Sequence, residues 1–333
     1  MAEVRIALLG AGSMGTAHAA AYAGMPDVSV AGVFSRDPAR AAAVAMICKA
    51  QPFTDAADLI RRADIDAIDI CLPSAVHHDV VIPALEAGKH VFCESPLALD
   101  LDEAERMRDA ARRADRLLQV GLLMRSVSAH EHVEAVARSG AHGRLLSVAT
   151  WRLGSYLHGD RPDRKAHYGD PSTELMTFDF DFVRWLLGEP RDLSASAAHL
   201  PDGRPGEISA LLHYGDGRHA TVVASGLMPP GSPFTTGFRA LFERAVFEHL
   251  ATFVDGPPKS SFTATNGMSA AQPVPVTDRN PYQVELQRFV DCMRGRADPS
   301  LLDVDRAIEA LHLSLATQRA LAARRSIELF QDR

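Results

Sequence analysis

Cysteine is scarce in this chain, whose 333 residues include four: Cys48, Cys71, Cys93 and Cys292. They are scattered and form no C-x-x-C pair, so the sequence predicts no disulfide framework. Cys71 and Cys93 end two apolar runs, and we interpret them as small core residues in a reducing cytoplasm.

Long apolar runs and an excess of positive charge are also missing. No run approaches the roughly 20 apolar residues of a membrane span, and the first residues enter a strand-like run directly, which predicts no secretory signal. The net charge of −7 argues against nucleic-acid and anionic membrane partners. The contents of 47% hydrophobic and 23% charged residues are typical of a soluble globular protein, and the length of 333 residues suffices for about two domains.

Two further kinds of site have no sequence signal. His77 and His78 are adjacent and point in different directions, and no set of His and carboxylate residues has ligand spacing, so we expect no metal. A serine nucleophile would need a G-x-S-x-G context, which the chain does not offer.

The strongest positive signal is the segment Val4–Gly15, VRIALLGAGSMG. A short apolar run is followed by glycines in the spacing G-x-G-x-x-G and then by a helix-like segment rich in alanine. This context indicates a dinucleotide-binding turn, in which the first glycine permits the turn, the second admits a pyrophosphate and the third lets helix and strand pack closely. We expect the phosphates to lie on the helix N-terminus, near Gly10, Gly12, Ser13, Met14 and Gly15.

Short apolar runs then alternate with helix-like segments as far as residue 120. The predicted helices are Ser13–Tyr22, Pro38–Lys49, Asp55–Arg62, Val76–Ala87 and a segment capped by Asp100, and the predicted later strands are Val28–Phe34, Pro52–Thr54, Ala67–Cys71, His90–Cys93 and Leu117–Val120. Such alternation is typical of βαβ units on a parallel sheet, where ligands lie outside the carboxyl ends of the strands. Those ends are Gly10–Gly15, Ser35–Arg36, Leu72–Ser74, Glu94–Pro96 and Gly121–Arg125.

The end of the second strand bears on the choice of cofactor. About 20 residues past the glycines, an acidic residue would hold the ribose 2′-hydroxyl of NAD. Here the chain has Ser35 and Arg36, whose hydroxyl and guanidinium suit a 2′-phosphate, so we expect NADP(H) in preference to NAD(H). The alternative is that Arg36 is solvated and Asp37 performs the acidic role.

Beyond Arg125 the pattern changes to a run of strands. Ser128–Arg138 is helix-like, and strand-like alternation follows in Leu145–Arg152, Ile208–Tyr214, Ala220–Ser225 and Phe238–Glu248. We interpret Pro229–Pro233 and Asp255–Gln272 as loops. Two helices near the C-terminus, one capped by Asn280 and one over Asp303–Ala323, are interpreted as packing elements without a site. Strands that follow a βαβ half indicate a separate antiparallel layer.

Three stretches together resemble the glucose–fructose oxidoreductase and inositol dehydrogenase (Gfo/Idh/MocA) family over nearly the whole chain. They are GAGSMGTAHAAAY, the block CLPSAVHHDVVIPALEAGKHVFCESPLALDLDEAERM and the later FDFVRWLLG. The resemblance implies an α/β protein with a doubly wound Rossmann domain, here residues 1–123, and a C-terminal α+β domain, residues 124–333, with a large and mostly antiparallel sheet. It also implies a homo-oligomer, a dimer or tetramer.

The same resemblance nominates residues beside the cofactor. Leu72 and Pro73 match the family pattern after the fourth strand, and Glu94 matches a glutamate beside the nicotinamide ribose. His77 is either a contact near the cofactor or a helix-start residue bonded to backbone. Arg125 matches an arginine after the last Rossmann strand, which faces the active cleft or pairs with a carboxylate. Ser95-Pro96 is a candidate cis bond.

The catalytic pattern of the family is altered in this chain. The family uses the lysine of E-K-P as proton carrier, helped by an Asp and a His four residues apart. Here Ser95 stands at the lysine, and alignment back from RWLLG puts Glu174 at the Asp and Phe178 at the His. A serine is no general acid by itself at neutral pH. Asp181 matches the next acidic position.

Three accounts of the activity stay open. In the first, the protein transfers a hydride to or from a carbonyl or carbinol of a sugar, sugar derivative or cyclitol, with a relocated acid. Glu174 is the first candidate, and the nearby titratable residues are Tyr156, His158, Lys165, His167 and Tyr168. In the second, the substrate is an imine that needs no strong acid. In the third, the protein binds NADP(H) without turnover and regulates a partner.

Overall fold

A computed structural model describes residues 3–155, 157, 170–254 and 258–329, and these fall into two compact units. The first unit comprises the chain up to Val127 together with Asp278–Leu311, and the second comprises Ser128–Thr277 with the residues from His312 onward. The expected boundary after residue 123 lies close to Val127. The sequence predicts one continuous second domain over residues 124–333. In the structure, Asp278–Leu311 belongs to the first unit instead.

The chain up to Val127 alternates strands and helices, as expected. The strands are β1 (Val4–Leu9), β2 (Val28–Phe34), β3 (Gln51–Phe53), β4 (Ala67–Ile70), β5 (His90–Cys93) and β6 (Leu118–Val120). The helices are α1 (Ser13–Ala23), α2 (Pro38–Cys48), α3 (Ala56–Ile60), α4 (His77–Glu86) and α5 (Leu101–Ala114), with short 3-10 turns at Ser74–Val76 and Leu123–Ser126.

The six strands form one parallel sheet in the order β3-β2-β1-β4-β5-β6. Strand order reverses between β1 and β4, which is the switch point where doubly wound sheets bind ligands. Their side chains are almost all buried, which is why the strands read as continuous apolar runs rather than as alternating ones. The parallel Rossmann sheet expected from the sequence is confirmed.

Helix starts in this unit follow side-chain capping. The carboxylates of Asp37 and Asp55 accept hydrogen bonds from backbone N–H groups of the first turns of α2 and α3. At the start of α5, Oδ1 of Asp100 accepts from the N–H of Glu103 at 2.8 Å. Each cap satisfies a donor that the helix itself leaves open, and this fixes where the following helix begins.

The middle of the chain builds a second sheet with helices. Its strands are β7 (Leu145–Leu153), β8 (Asp192–His199), β9 (Pro205–His213), β10 (His219–Ser225), β11 (Phe234–Phe242), β12 (Ala245–Phe253), β13 (Lys259–Asn266) and β14 (Gln272–Pro273), and its helices are α6 (Ser128–Ser139), α7 (Pro171–Glu174) and α8 (Met176–Leu187). The chain then forms α9 (Pro281–Met293), a 3-10 turn at Pro299–Leu302, α10 (Val304–Ala323) and β15 (Ile327–Glu328).

This nine-stranded sheet has the order β14-β13-β12-β11-β7-β10-β9-β8-β15. Only the β7–β10 pair is parallel among its described pairs, so the sheet is mostly antiparallel, as expected. Burial alternates along β9 and β10, because α7 and α8 cover one face of the sheet. On the other face, a side chain at Gly237 would overlap the indole of Trp151.

Two expectations in this half are corrected. The single alternating segment Phe238–Glu248 is parts of two strands, β11 and β12, which pair as a hairpin. The segment Asp255–Gln272 was expected to be a loop, but β13 occupies Lys259–Asn266 and pairs along β12. The segment is rich in serine and threonine, which are common in loops. It forms a strand because Phe262 is buried and because threonine favours extended backbone.

The helices were also searched for membrane spans. Among those in the described part of the chain, none combines the length and the apolar character that crossing a bilayer requires.

Candidate functional site

The β1–α1 turn has the geometry that its three glycines predict. Gly10 has φ +123°, a conformation that favours glycine, and a side chain there would overlap the carbonyl of Cys71 at the end of β4. A side chain at Gly15 would overlap the carbonyl of Gly10. At Gly12, by contrast, an added Cβ meets nothing within 4 Å. Gly10 and Gly15 are therefore required by the fold, whereas Gly12 leaves open space above the turn.

The open space at Gly12 lies at the N-terminus of α1. Gly12 is the N-cap residue and provides no side-chain cap, so the first N–H groups of the helix have no intrahelical partner. Ser13 is exposed and Met14 is half-buried. Free N–H groups, a positive helix dipole and a turn without a side chain together fit a pyrophosphate.

The end of β2 presents a guanidinium rather than a carboxylate. Arg36 is exposed, and no hydrogen bond or ion pair to it is found among the described residues. Asp37 is engaged instead at the start of α2, where Oδ1 accepts from the N–H groups of Ala39 at 2.9 Å and Arg40 at 3.3 Å. The hydroxyl of Ser35 accepts from the N–H of Asp37 at 3.2 Å. The carboxylate of Asp37 is thus committed to helix capping.

His77 ties two strand ends together. Its Nε2 lies 2.8 Å from the carbonyl oxygen of Leu72, and its Nδ1 lies 3.1 Å from that of Pro96 and 3.2 Å from that of Leu97. The ring is buried, and burial lowers the pKa of His77. Both nitrogens face backbone, as the second of its two interpretations expects. Pro73 follows Leu72 and is exposed at the edge.

The end of β5 carries Glu94 and the residue that replaces the family lysine. Oε2 of Glu94 accepts a hydrogen bond from the N–H of Ser95 at 3.1 Å, and its Oε1 lies 2.8 Å from Nε2 of His18. The Ser95–Pro96 peptide is cis, so that expectation is confirmed. The Ser95 hydroxyl is buried and has no hydrogen-bond partner among the described residues. After β6, Arg125 is buried in the 3-10 turn Leu123–Ser126.

Three groups behind this edge were not singled out from the sequence as functional. His18 on α1, Asp69 inside β4 and Glu285 on α9 are all buried in the first unit. What distinguishes these three residues is a polar side chain at a core position. This feature can be recognised only after the core has been identified. From the sequence α9 is interpreted as a packing element, and Glu285 is a buried carboxyl group on it.

The second unit holds the other aligned positions. Glu174 ends α7 and is half-buried, and Phe178 lies in the first turn of α8. Nε of Arg152, on β7, donates to Oδ2 of Asp179 at 3.1 Å, and its guanidinium carbon lies 5.0 Å from the centroid of the Phe178 ring. Burial raises the pKa of Asp179, and the charge of Arg152 opposes that rise. Asp181, at the next aligned acidic position, is also buried.

The remaining predicted residues lie in one segment. Tyr156, His158, Lys165, His167 and Tyr168 fall outside the described residues, so their proposed roles stay predictions.

Comparison with known families matches both units. The model of an oxidoreductase family with an NAD-binding Rossmann fold, Gfo/Idh/MocA, matches residues 4–122. A model of the Gfo/Idh/MocA C-terminal domain matches residues 130–248.

Individual proteins agree with this match. Inositol 2-dehydrogenase of Rhizobium meliloti (strain 1021) is 32% identical over 228 residues, 66% of this chain and 68% of that protein. The rhizopine catabolism protein MocA of Rhizobium meliloti is 26% identical over 97% of this chain and 96% of its own length. Levoglucosan dehydrogenase, solved with NADH and levoglucosan, has the same fold, with a TM-score of 0.82 at 22% identity over 99% of this chain and 100% of that chain. The chain therefore belongs to the Gfo/Idh/MocA family of NAD(P)-dependent oxidoreductases.

Proposed function

We propose that this protein is an NADP(H)-dependent oxidoreductase that transfers a hydride to or from a carbonyl or carbinol of a sugar, sugar derivative or cyclitol. The observation that carries the proposal is the turn at Gly12, where open space meets the uncapped N-terminus of α1. The oxygens of a pyrophosphate there would accept hydrogen bonds from the free N–H groups of the first helical turn. The buried, unpartnered hydroxyl of Ser95 at the end of β5 offers a further polar group at the same sheet edge.

The substrate class rests on relatives. Inositol 2-dehydrogenase and levoglucosan dehydrogenase are named for a cyclitol and an anhydro sugar. Both compounds carry several hydroxyl groups on a ring, so we infer a polyhydroxylated small molecule for this chain.

The preference for NADP(H) rests on the end of β2. A 2′-phosphate at that edge would meet Arg36, which has no partner among the described residues, while Asp37 caps α2. A guanidinium binds a phosphate by charge-assisted hydrogen bonds, whereas the carboxylate that would hold a 2′-hydroxyl is already engaged. Because levoglucosan dehydrogenase was solved with NADH, the binding experiment compares NADPH with NADH.

The proton step needs a group other than the family lysine. The nicotinamide supplies or accepts the hydride when it is bound. In oxidation, the hydroxyl proton of the substrate passes to a base, for which Glu174 is our candidate, and in reduction the same carboxyl group returns it. Ser95 donates a hydrogen bond to the substrate oxygen without changing its own charge. Tyr156 and His158 are the reserve candidates.

Imine reduction is the second candidate function. On the alignment that the resemblance implies, Ser95 and Phe178 replace the lysine and the histidine of the family, and the Phe178 ring lies against the guanidinium of Arg152. An iminium ion already carries positive charge on nitrogen, so its reduction by hydride needs no strong acid. A non-catalytic NADP(H)-binding regulator is the outcome that remains if no substrate is turned over.

We also propose a homo-oligomer, a dimer or tetramer, in the cytoplasm. The helices cover one face of the nine-stranded sheet, and the half-buried side chains of β7 and β10 lie on the other. Trp151 and Leu153 belong to that face. Light scattering on the purified protein tests the assembly, and a monomer at micromolar concentration would contradict it.

The test of the function begins with nucleotide binding. Titration with NADPH and NADH, followed by nicotinamide fluorescence, should give tighter binding of NADPH. A panel of keto-sugars, cyclitols and cyclic imines then identifies the substrate class. Turnover of a sugar or cyclitol supports the proposal, turnover of an imine alone supports the second candidate, and binding without turnover supports the regulator. Failure to bind either nucleotide contradicts all three.

The cofactor preference has its own variant. Arg36→Ala should weaken NADPH binding at least about tenfold and leave NADH within about twofold, because one charge-assisted contact is lost. Arg40→Ala is the matched control, since Arg40 is exposed on the neighbouring helix and contacts Asp37. Equal weakening of both nucleotides by Arg36→Ala would contradict the preference.

A further inference from the structure

A row of charged side chains runs through the core of the first unit, behind the strand ends. Nδ1 of His18 lies 2.8 Å from Oδ2 of Asp69, and its Nε2 lies 2.8 Å from Oε1 of Glu94. The side chains of His18 and Asp69 have no exposed area, and that of Glu94 is 9% exposed. The row therefore connects the interior of β4 with the end of β5 through a histidine on α1.

The geometry assigns a charge to His18. A neutral imidazole carries one N–H and leaves a lone pair on its other nitrogen. Here Nδ1 is hydrogen-bonded to Asp69, while Nε2 forms an ion pair with Oε1 of Glu94 at 2.8 Å that is not aligned as a hydrogen bond, so a neutral ring would set a lone pair against a carboxylate oxygen. Burial is the largest single influence and disfavours the cation, but the charge of Asp69, the interaction with Cys71 and the hydrogen bonds to both together outweigh it and raise the pKa of His18 well above its usual value. The rings of Phe92 and Tyr282 border the imidazole at centroid distances of 5.8 Å each.

The cysteine, tyrosine and glutamate side chains around the row have raised pKa values, which keep them neutral at neutral pH. Burial raises the pKa of Cys71 on the β4 side and of Cys93 on β5, and it raises that of Tyr22 on α1. On α9, burial and then the charge of Glu94 raise the pKa of Glu285 well above its usual value. The buried cation Arg125 belongs to the 3-10 turn that packs against α9.

Glu285 is the unusual member of this set. It is completely buried, and neither carboxyl oxygen has a hydrogen-bond partner among the described residues. A carboxylate in that position would be a third negative charge around one imidazolium, without a donor to stabilise it. The protonated acid avoids this charge.

Two contacts hold the Glu94 carboxylate, and the backbone of Gly121 lies close beside it. Its Oε1 faces His18, its Oε2 accepts from the N–H of Ser95, and an added Cβ at Gly121 would lie 3.0 Å from Oε2. The carboxylate therefore has one orientation at the strand edge, where the proposed function puts the nicotinamide ribose.

We propose that His18 is a positioning residue that stays an imidazolium, anchored by Asp69, and holds the Glu94 carboxylate ready for a ribose hydroxyl, while Glu285 remains a neutral acid. The positioning role rests on the proposed function, whereas the charge states do not. The same charge states predict that the row stabilises the fold below about pH 6.5 and that this stability is lost as pH rises through the raised pKa of His18.

The first experiment observes His18 directly. Nitrogen-15 NMR of the histidine rings in the nucleotide-free protein separates imidazolium from neutral imidazole, and the signal missing in His18→Gln identifies the residue. We expect an imidazolium at pH 7, and Asp69→Asn should lower the pH at which it titrates. A neutral ring at pH 7 overturns the proposal.

The second experiment compares two glutamates. Glu285→Gln replaces a neutral acid by a neutral amide of the same shape, so NADPH binding should stay within about twofold of wild type. Glu94→Gln removes the charge that faces His18, so NADPH binding should weaken at least about tenfold and the titration of His18 should move to lower pH. The reverse order of effects for the two variants overturns the proposal.

Metal binding and the absence of nucleotide binding are two further outcomes that the experiments distinguish. The ligand atoms of His18, Glu94 and Glu285 all lie within 4.8 Å of one another, so a rise in thermal midpoint with Zn²⁺ that EDTA reverses would replace the proton by a metal and overturn the proposal. An imidazolium signal without binding of NADPH or NADH would keep the charge states but overturn the positioning role together with the proposed function.

Discussion

The guanidinium of Arg152 covers the ring of Phe178, with 5.0 Å between the guanidinium carbon and the ring centroid. The same guanidinium is held by Asp179, and both side chains of that ion pair are less than one-tenth exposed. The resemblance aligns Phe178 with a histidine of the family, and on that alignment an aromatic face against a permanent cation takes the place of a proton carrier. The arrangement explains why phenylalanine is compatible with this site although it cannot titrate.

Phe178→Leu should therefore lower the free energy of unfolding by about 1–2 kcal/mol, because the leucine offers no π face to the guanidinium. Phe178→Tyr keeps the ring and serves as the control, with a loss well below that of leucine. Urea unfolding at neutral pH measures both. Equal losses for Leu and Tyr would mean that the ring contributes apolar packing alone.

A second prediction separates the roles of two glycines in one turn. An added side chain meets nothing at Gly12, whereas at Gly15 it overlaps the carbonyl of Gly10. Gly12→Val should leave the thermal midpoint within about 2 °C and weaken NADPH at least about tenfold, because the valine occupies the space for the pyrophosphate. Gly15→Ala should lower the thermal midpoint by several degrees. Gly12→Val with unchanged NADPH affinity would place the phosphates elsewhere.

The sequence predicts the structure well at positions where the backbone tolerates only one kind of residue. The spacing of Gly10, Gly12 and Gly15 predicts the turn, because helix and strand can pack closely only without side chains there. The buried strands of the first sheet are predicted because parallel strands covered on both faces read as apolar runs. The cis peptide before Pro96 is only a candidate from the sequence, because the isomer is set by the surrounding fold.

The sequence is less informative where distant residues meet. His18, Asp69 and Glu285 come from a helix, a strand and a C-terminal helix, and no local pattern relates them. The partner of Arg152 on α8 is invisible for the same reason, since 27 residues separate it from Asp179. The composition of β13 predicts a loop, because serine and threonine are common both in loops and in strands. Pairing with β12 decides the conformation there.

A third prediction concerns the proton carrier. Glu174→Gln should lower turnover of the substrate found in the panel at least about tenfold, because the amide cannot exchange the proton. The pH–rate profile should lose one limb at the same time. Glu189→Gln is the control, since Glu189 is a surface carboxylate paired with Arg184 at 3.0 Å. Unchanged turnover in Glu174→Gln would direct the search to the segment from Tyr156 to Tyr168.

The last prediction concerns acid sensitivity of the second unit. His130 on α6 and His249 on β12 lie in an aromatic cluster with a ring-centroid distance of 5.4 Å, and their Nδ1 atoms have no hydrogen-bond partner among the described residues. Burial lowers the pKa of His249 to about 4. Burial, and then the neighbouring His249, lowers that of His130 well below its usual value.

In the unfolded chain both rings titrate near 6.5. Between that pH and the lowered pKa values, the unfolded chain binds protons that the folded protein does not bind, so stability is complete above about pH 6.5 and falls as pH falls. For His249 alone, the shift corresponds to about 3 kcal/mol at pH 4. His249→Phe should reduce the loss of stability between pH 7 and 4, measured by urea unfolding at each pH. His199→Phe, at an exposed position, should keep the wild-type slope, and an unchanged slope in His249→Phe would show that the cluster does not set the acid limit.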